Sequence, residues 1–238
     1  SYYHNHIKHH LKSKQSTSDT KKYRKTTRSY PKSNSQTKMS AAKRKRPATT
    51  STQGRSSTSS SSLFVHNPTY SLRVFKTDFK FNAAHFVAYQ GFREKLHGHN
   101  YTVGVELFSK PGTSLNADGY VIDFGSIKTV VRQLCKSIHE HFLAPMQSDV
   151  ITISNSKDGN NLQLNCQDGA FFSFPKDDCI ELPIAHTTVE ELAKYFCDCI
   201  TQKLELLLIE RNIERIEVTV TEAPGQSGCY SCSSAPME

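Results

Sequence analysis

Three histidines set the chemistry open to this chain. His85, His97 and His99 lie within FKFNAAHFVAYQGFREKLHGHNYTV, residues 79–103. His97 and His99 are two residues apart, and the same parity continues through Tyr101, Val103, Val105 and Leu107. In a strand, side chains two apart share a face, so both imidazoles lie on the apolar side. His85 ends a similar series: Phe75, Phe79, Phe81, Ala83. Two antiparallel strands would bring the three imidazoles together. Neutral imidazoles suit zinc, and three of them leave a fourth coordination position for water or substrate.

The elements that must position these residues are legible in outline. A strand is expected from about Leu72 to Val87, then a loop holding Gly91, then a strand from His97 to Ser109. Turn signals at Pro111-Gly112 and Asp118-Gly119 lead into Tyr120 to Ile122. Asp123 can cap a helix whose apolar side is Ile127, Val130, Val131, Leu134 and Ile138. Leu143 to Pro145 is read as closing that element. Residues 147–183 read as a strand-rich insertion, with strands at Ile151–Ile153, Leu162–Cys166 and Phe171–Phe174 and a hairpin turn at Asp168-Gly169. Thr188 with Glu191 forms a capping-box pattern for a second helix running to about Ile209. Val189, Leu192, Ala193, Phe196 and Ile200 recur along it at helical spacing. A last strand spans Ile213 to Glu222 and ends at Ala223-Pro224-Gly225. This order implies an α+β fold, an antiparallel sheet with two helices on one face.

Composition divides the chain of 238 residues in two. Residues 1–62 hold 15 Lys and Arg against one acidic residue, Asp19, a net +14. Residues 63–238 hold 15 basic and 21 acidic residues, a net −6, so the chain's +8 comes from the first segment. The basic charge is therefore not a nucleic-acid footprint for the folded part. Residues 1–62 are rich in Ser, Thr, Lys and Arg, and their burial cannot repay the entropy of ordering, so disorder is expected. Within them, Lys43 to Arg46 read as a solvated run, with a nuclear address or nucleic-acid patch as alternatives. His4, His6, His9 and His10 resemble an incidental weak metal tract. A processed targeting segment also fits this acid-poor composition. The sequence does not begin with methionine, which leaves its true amino terminus open. No apolar run approaches a secretory core or a membrane span. Seven cysteines, an odd number, with no visible signal peptide point to a reducing compartment, read as the cytoplasm. Cys229 and Cys232 form a single CxxC, weak by itself for zinc or redox work.

FNAAHF followed by LHGHNY resembles the 6-pyruvoyltetrahydropterin synthase family, which includes the 6-carboxytetrahydropterin synthases of queuosine synthesis. The likeness runs from about Leu72 to Cys229. It implies that His85, His97 and His99 bind zinc. It implies the tunnelling fold, with an antiparallel four-stranded sheet and two helices on one face, assembled into homohexamers with active sites between subunits. In that family a cysteine shortly before HGH is the catalytic base. Here no cysteine occurs between residues 63 and 134, and Glu94 is the acidic residue of the loop. GFREKLHGHNY resembles the apicomplexan-type variant, in which glutamate replaces that cysteine. The likeness continues at FLAPMQSD, FSFPKDDC and EVTVTEAPGQ.

The variant's implied reaction is side-chain cleavage of 7,8-dihydroneopterin triphosphate to 6-hydroxymethyl-7,8-dihydropterin, for folate synthesis, with Glu94 as general base. Glu222 matches the glutamate that anchors the pterin. Thr187 and Thr188 face the pterin or cap the helix. Arg93 and Lys95 are candidates for the triphosphate, since linked phosphates need cations. The family's Asp-His pair is replaced by His139-Glu140, followed by His141, and these three are either catalytic or ordinary helix-end residues. Other readings are the ordinary synthase, which eliminates triphosphate to give 6-pyruvoyltetrahydropterin for tetrahydrobiopterin synthesis, a 6-carboxytetrahydropterin synthase, and a non-catalytic pterin- or zinc-binding protein.

Overall fold

A long strand pair forms the spine of the protein. The computed structural model describes residues 69–234. The segment 1–62, with its expected disorder, lies outside the described residues. Strand β1 (Ser71–His85) pairs antiparallel with β4 (His97–Ser109), with His85 opposite His97, Ala83 opposite His99 and Phe81 opposite Tyr101. The register breaks between Phe75 and Lys80. Leu72 and Val74 are buried before the break, and Phe79, Phe81, Ala83 and His85 after it. The irregularity thus moves the buried set from even to odd positions, as a bulge does. Phe75, expected to share the histidine face, is instead 61% exposed.

Strands β10 (Ile213–Ala223) and β11 (Gln226–Ser233) extend the sheet beyond β4, all antiparallel. On the other side, β5 (His141–Pro145) and β9 (Cys179–Leu182) add in parallel. The order β11-β10-β4-β1-β5-β9 is a six-stranded mixed sheet whose antiparallel part has four strands, one of them β11, which follows the strand read as the last. Cys179–Leu182, inside the stretch read as an insertion, belongs to this main sheet.

Helix α1 (Phe124–Ile138) is capped by Asp123, whose carboxylate accepts from the Ser126 N–H. Its five expected apolar residues are all buried. The helix stops at Ile138 and not at Leu143–Pro145, which lie in β5. Glu140 makes the turn between them at φ 62°, and its N–H donates to the Asn82 carbonyl at 2.8 Å. Helix α2 (Val189–Glu210) starts at Thr188, which accepts from the Glu191 N–H. Glu191 reaches back past the expected reciprocal position, accepting from the Ala185 and His186 amides at 2.8 and 3.2 Å. Phe81 stacks on Tyr101 at 4.7 Å and on Phe196 of α2 at 5.7 Å. The core between sheet and helices therefore runs directly up to the histidines.

Between β5 and β9, strands β6 (Ile151–Asn155), β7 (Asn161–Cys166) and β8 (Phe171–Pro175) form a separate antiparallel sheet. It packs on Phe86 and Phe142 through Leu162, Leu164, Phe172 and Phe174. The loop between His85 and His97 carries a minimal hairpin, β2 (Ala88–Tyr89) with β3 (Phe92–Arg93). In β11, Cys229 is exposed and Cys232 meets Cys197 of α2, Sγ to Sγ 2.9 Å. Positions three apart in a strand take opposite faces, so this CxxC cannot chelate one ion. Among the described residues no helix is long and apolar enough to cross a membrane.

Candidate metal and substrate site

The antiparallel register places His85 directly across from His97, with His99 one step inward. Ring centroids lie 4.5 Å apart for His85–His97, 5.3 Å for His85–His99 and 4.9 Å for His97–His99. One ring nitrogen of each falls within 4.8 Å of the others. His85 is buried, His99 partly so and His97 exposed. The cluster is thus anchored on one side and open on the other.

Each fixed nitrogen has a reason. His85 Nδ1 donates to the Thr187 carbonyl at 3.0 Å, with the Thr187 hydroxyl at 3.3 Å. That leaves Nε2 as the lone-pair nitrogen, buried and with no partner within the protein. A buried polar atom left unpaired is costly, and a metal ion on it removes the cost. Burial, and then the neighbouring His97, push the His85 imidazole down to about 4. It is therefore neutral near pH 7, the form that ligates metal. His97 Nδ1 donates to the Lys95 carbonyl at 2.8 Å and frees its own Nε2. A backbone carbonyl orienting a ligating imidazole is the usual supporting arrangement of a metal site. The donor set and the orphaned nitrogen fit a zinc ion.

Two carboxylates close on this cluster. Glu222, near the end of β10, places Oε2 4.0 Å from His99 Nε2. Glu94 follows β3, and its carboxylate accepts from the Val87 N–H at 3.0 Å while its own N–H donates to the Val87 carbonyl at 2.9 Å. Its influence on His85 and on Tyr101 is the smallest of those they feel, behind burial and their other neighbours. Tyr101 is fully buried between the rings of His85 and His99, at 5.8 and 5.7 Å, and its hydroxyl has no partner within the protein. Burial, then the charge of Glu222, raise that phenol well above its ordinary value and keep it protonated.

The other sequence candidates fall in different places. Arg93 donates from Nε to Asp168 at 2.8 Å and from Nη1 to the Glu94 carbonyl at 2.8 Å. Lys95 serves His97 through its backbone. Thr187 supports His85 and donates its hydroxyl to the Phe86 carbonyl at 3.0 Å, whereas Thr188 caps α2. His139 Nδ1 accepts from the Asn82 N–H at 3.2 Å. His141 donates from Nδ1 to the His139 carbonyl at 2.7 Å. It pairs with Ala83, which on its other side pairs with His99. His141, Ala83 and His99 thus form one row across three strands, side chains on one face. The Glu140 side chain is 75% exposed, 3.8 Å from His139. Sequence reasoning missed the Tyr101 hydroxyl and His186, which donates to the Ala88 carbonyl at 2.9 Å. Neither carries a sequence signal, because each depends on what the fold brings beside it.

The sequence profile of the 6-pyruvoyl tetrahydropterin synthase (PTPS) family matches residues 74–232. The chain belongs to that family. A Methanocaldococcus jannaschii protein provisionally named as a 6-carboxy-5,6,7,8-tetrahydropterin synthase is 30% identical to this PTPS-family chain over 151 residues, 63% of it and 88% of the relative. Solved 6-pyruvoyl tetrahydropterin synthases from Plasmodium falciparum and Plasmodium vivax are 39% identical, with a TM-score of 0.66, covering 71% of this chain and 100% of theirs. Two further Plasmodium vivax structures, 38% identical and with the same TM-score and coverage, are catalytic-residue variants in which a glutamate becomes alanine or cysteine. The α+β arrangement is accordingly the tunnelling fold of PTPS enzymes, and the His85–His97–His99 cluster lies within the matched region.

Proposed function

We propose that this PTPS-family enzyme is a zinc-dependent lyase that converts 7,8-dihydroneopterin triphosphate to 6-hydroxymethyl-7,8-dihydropterin, a step towards folate. The observation that carries the reading is Glu94: a carboxylate, not a thiol, stands in the loop between the histidines, held by the Val87 amide. The Plasmodium vivax variants support it, because there too a glutamate is named as a catalytic residue.

His85, His97 and His99 would hold the metal. When bound, zinc supplies positive charge that favours ionisation of a hydroxyl brought beside it. Glu222 would accept hydrogen bonds from the pterin's amino group and adjacent ring nitrogen. Glu94 would take the proton from the second side-chain hydroxyl, given hydrogen-bond reach in the complex. The bond between the first two side-chain carbons then breaks. Its electron pair passes into the electron-poor ring, the second carbon becomes the aldehyde of the leaving triphosphate fragment, and a proton returns to the first carbon. His141, in the His99 row, is the best placed of the His139–Glu140–His141 group for that return. Lys95 remains a candidate for the triphosphate. We read the protein as a cytoplasmic homohexamer with sites between subunits, which light scattering would report as six times the 26.8 kDa chain.

Chromatographic identification of the product from 7,8-dihydroneopterin triphosphate is the test. Mainly 6-hydroxymethyl-7,8-dihydropterin is expected. Glu94→Gln keeps size and removes the base, so turnover should fall by about 10²–10⁴-fold with zinc retained. Exclusive 6-pyruvoyl tetrahydropterin would establish the second reading, which the names of the solved Plasmodium relatives favour.

A further inference from the structure

We propose that the turn between β7 and β8 positions the Glu94 carboxylate, acting through an Arg93–Asp168 ion pair. The inference rests on Glu94 as the general base and adds Arg93 and Asp168 as positioning residues.

The hairpin that carries Glu94 has little of its own to hold it. Each strand is two residues long, the turn contains Gly91 at φ 81°, and Tyr89 and Phe92 at its tip are about half exposed. A two-stranded ribbon this short has no independent stability. The small sheet supplies what it lacks. The Gln167 amide donates to the Gln90 side chain at 3.1 Å, and its oxygen accepts from the Gly91 N–H at 3.5 Å. Next to it, Asp168 receives the Arg93 Nε–H at 2.8 Å. The other oxygen of Asp168 accepts from the Ala170 N–H at 3.1 Å, which fixes the carboxylate within its own turn.

Arg93 transmits this to Glu94. Its guanidinium lies 5.7 Å from the Phe86 ring and 5.5 Å from the Phe172 ring, with only 19% of the side chain exposed. From that slot Nη1 donates to the Glu94 carbonyl. The guanidinium expected from sequence to grip triphosphate is therefore committed inside the protein. Magnitudes separate this role from a purely structural one. An ion pair whose carboxylate is as open as Asp168, 46% exposed, is screened by water and adds little to stability. A displacement of about 1 Å in a catalytic group can cost roughly 10²-fold in rate. Loss of the pair should thus be small in stability and large in turnover.

The test is steady-state kinetics of Asp168→Ala, Asp168→Asn and Asp168→Glu, each with zinc content and melting temperature measured. Asp168→Ala and Asp168→Asn should lose about tenfold or more in kcat while KM, zinc and melting temperature stay near those of the parent. Asp168→Glu, which keeps the carboxylate, should recover most of the rate. Added to Glu94→Gln, Asp168→Ala should cause no further loss, because the residue it positions is already disabled. An unchanged kcat in Asp168→Ala overturns the proposal. So does a raised KM at constant kcat, or an equal loss in the Glu94→Gln background. Full turnover in Glu94→Gln alone would remove the general-base reading and this proposal with it. Turnover lost in Glu94→Gln but intact in Asp168→Ala would remove this proposal only.

Discussion

In the proposed reaction His97 and Glu222 would serve two separate tasks, holding a metal and holding a pterin. The His97 side chain is exposed, and its hydrogen bond goes to the nearby Lys95 carbonyl, so His97→Ala should leave the folded protein intact and abolish stoichiometric zinc. Glu222→Ala should leave zinc in place and weaken pterin binding by about 2–5 kcal/mol, the usual effect of removing one partner of a charge-assisted pair that the bound ligand buries. Elemental analysis and titration calorimetry on both variants check this. Full zinc in the first, or unchanged pterin binding in the second, sinks the corresponding assignment. The histidines were readable in the sequence because strand parity is a local property. Arg93 was not: its acidic partner is Asp168, 75 residues away, and nothing in one sequence announces such a pair. Tyr101 looked like one more apolar strand residue, since an unpaired buried hydroxyl exists only once His85, His99 and Glu222 surround it.

At the scale of elements, both helices were legible from their caps and their 3.6-residue periodicity, and β1, β4 and β10 from alternation. The two parallel strands and β11 behaved differently. β5 is buried at four of its five positions, so it shows no alternation, and a short run ending in proline reads equally well as a helix end. β11, QSGCYSCS, is a polar edge strand without an apolar pattern. The turn from α1 into β5 gives a direct prediction. Glu140 occupies the left-handed region at φ 62° with its side chain largely in solvent. A residue with a Cβ pays roughly 1–2 kcal/mol there, and glycine does not. Glu140→Gly should therefore hold or raise the melting temperature with turnover unchanged, and Glu140→Val should lower it. A tenfold loss of turnover in Glu140→Gly at constant stability would instead give the carboxylate a part in the chemistry.

For the whole molecule, charged contacts between distant segments decide how it meets acid. Asp78, in the irregular part of β1, is held below the ordinary carboxylate range by its hydrogen bond from Arg132 of α1. Asp118, before α1, is lowered in the same way by Arg211 at the end of α2. Asp168 is lowered first by the Ala170 amide and then by Arg93. The sequence alone showed the negative balance of residues 63–238 but not these partners, which the fold alone selects. Because each carboxyl titrates lower in the folded chain than in the unfolded one, its contribution is complete above the unfolded value of about 3.9. It is lost as pH falls through the folded values, since the unfolded chain then binds more protons. All three groups are exposed, so each contribution is modest and screened by salt. The expected result is a urea midpoint that varies little with these groups between about pH 5 and 7 and declines below about pH 4. The decline should shrink in Asp118→Asn, which removes one such group from both states. Circular dichroism at a series of pH values would record it. A midpoint that rises as pH falls from 4 to 2 would show that protonation of these carboxyls does not favour the unfolded chain, and would contradict their roles as ties between β1 and α1, between the two helix ends, and between the small sheet and the Glu94 loop.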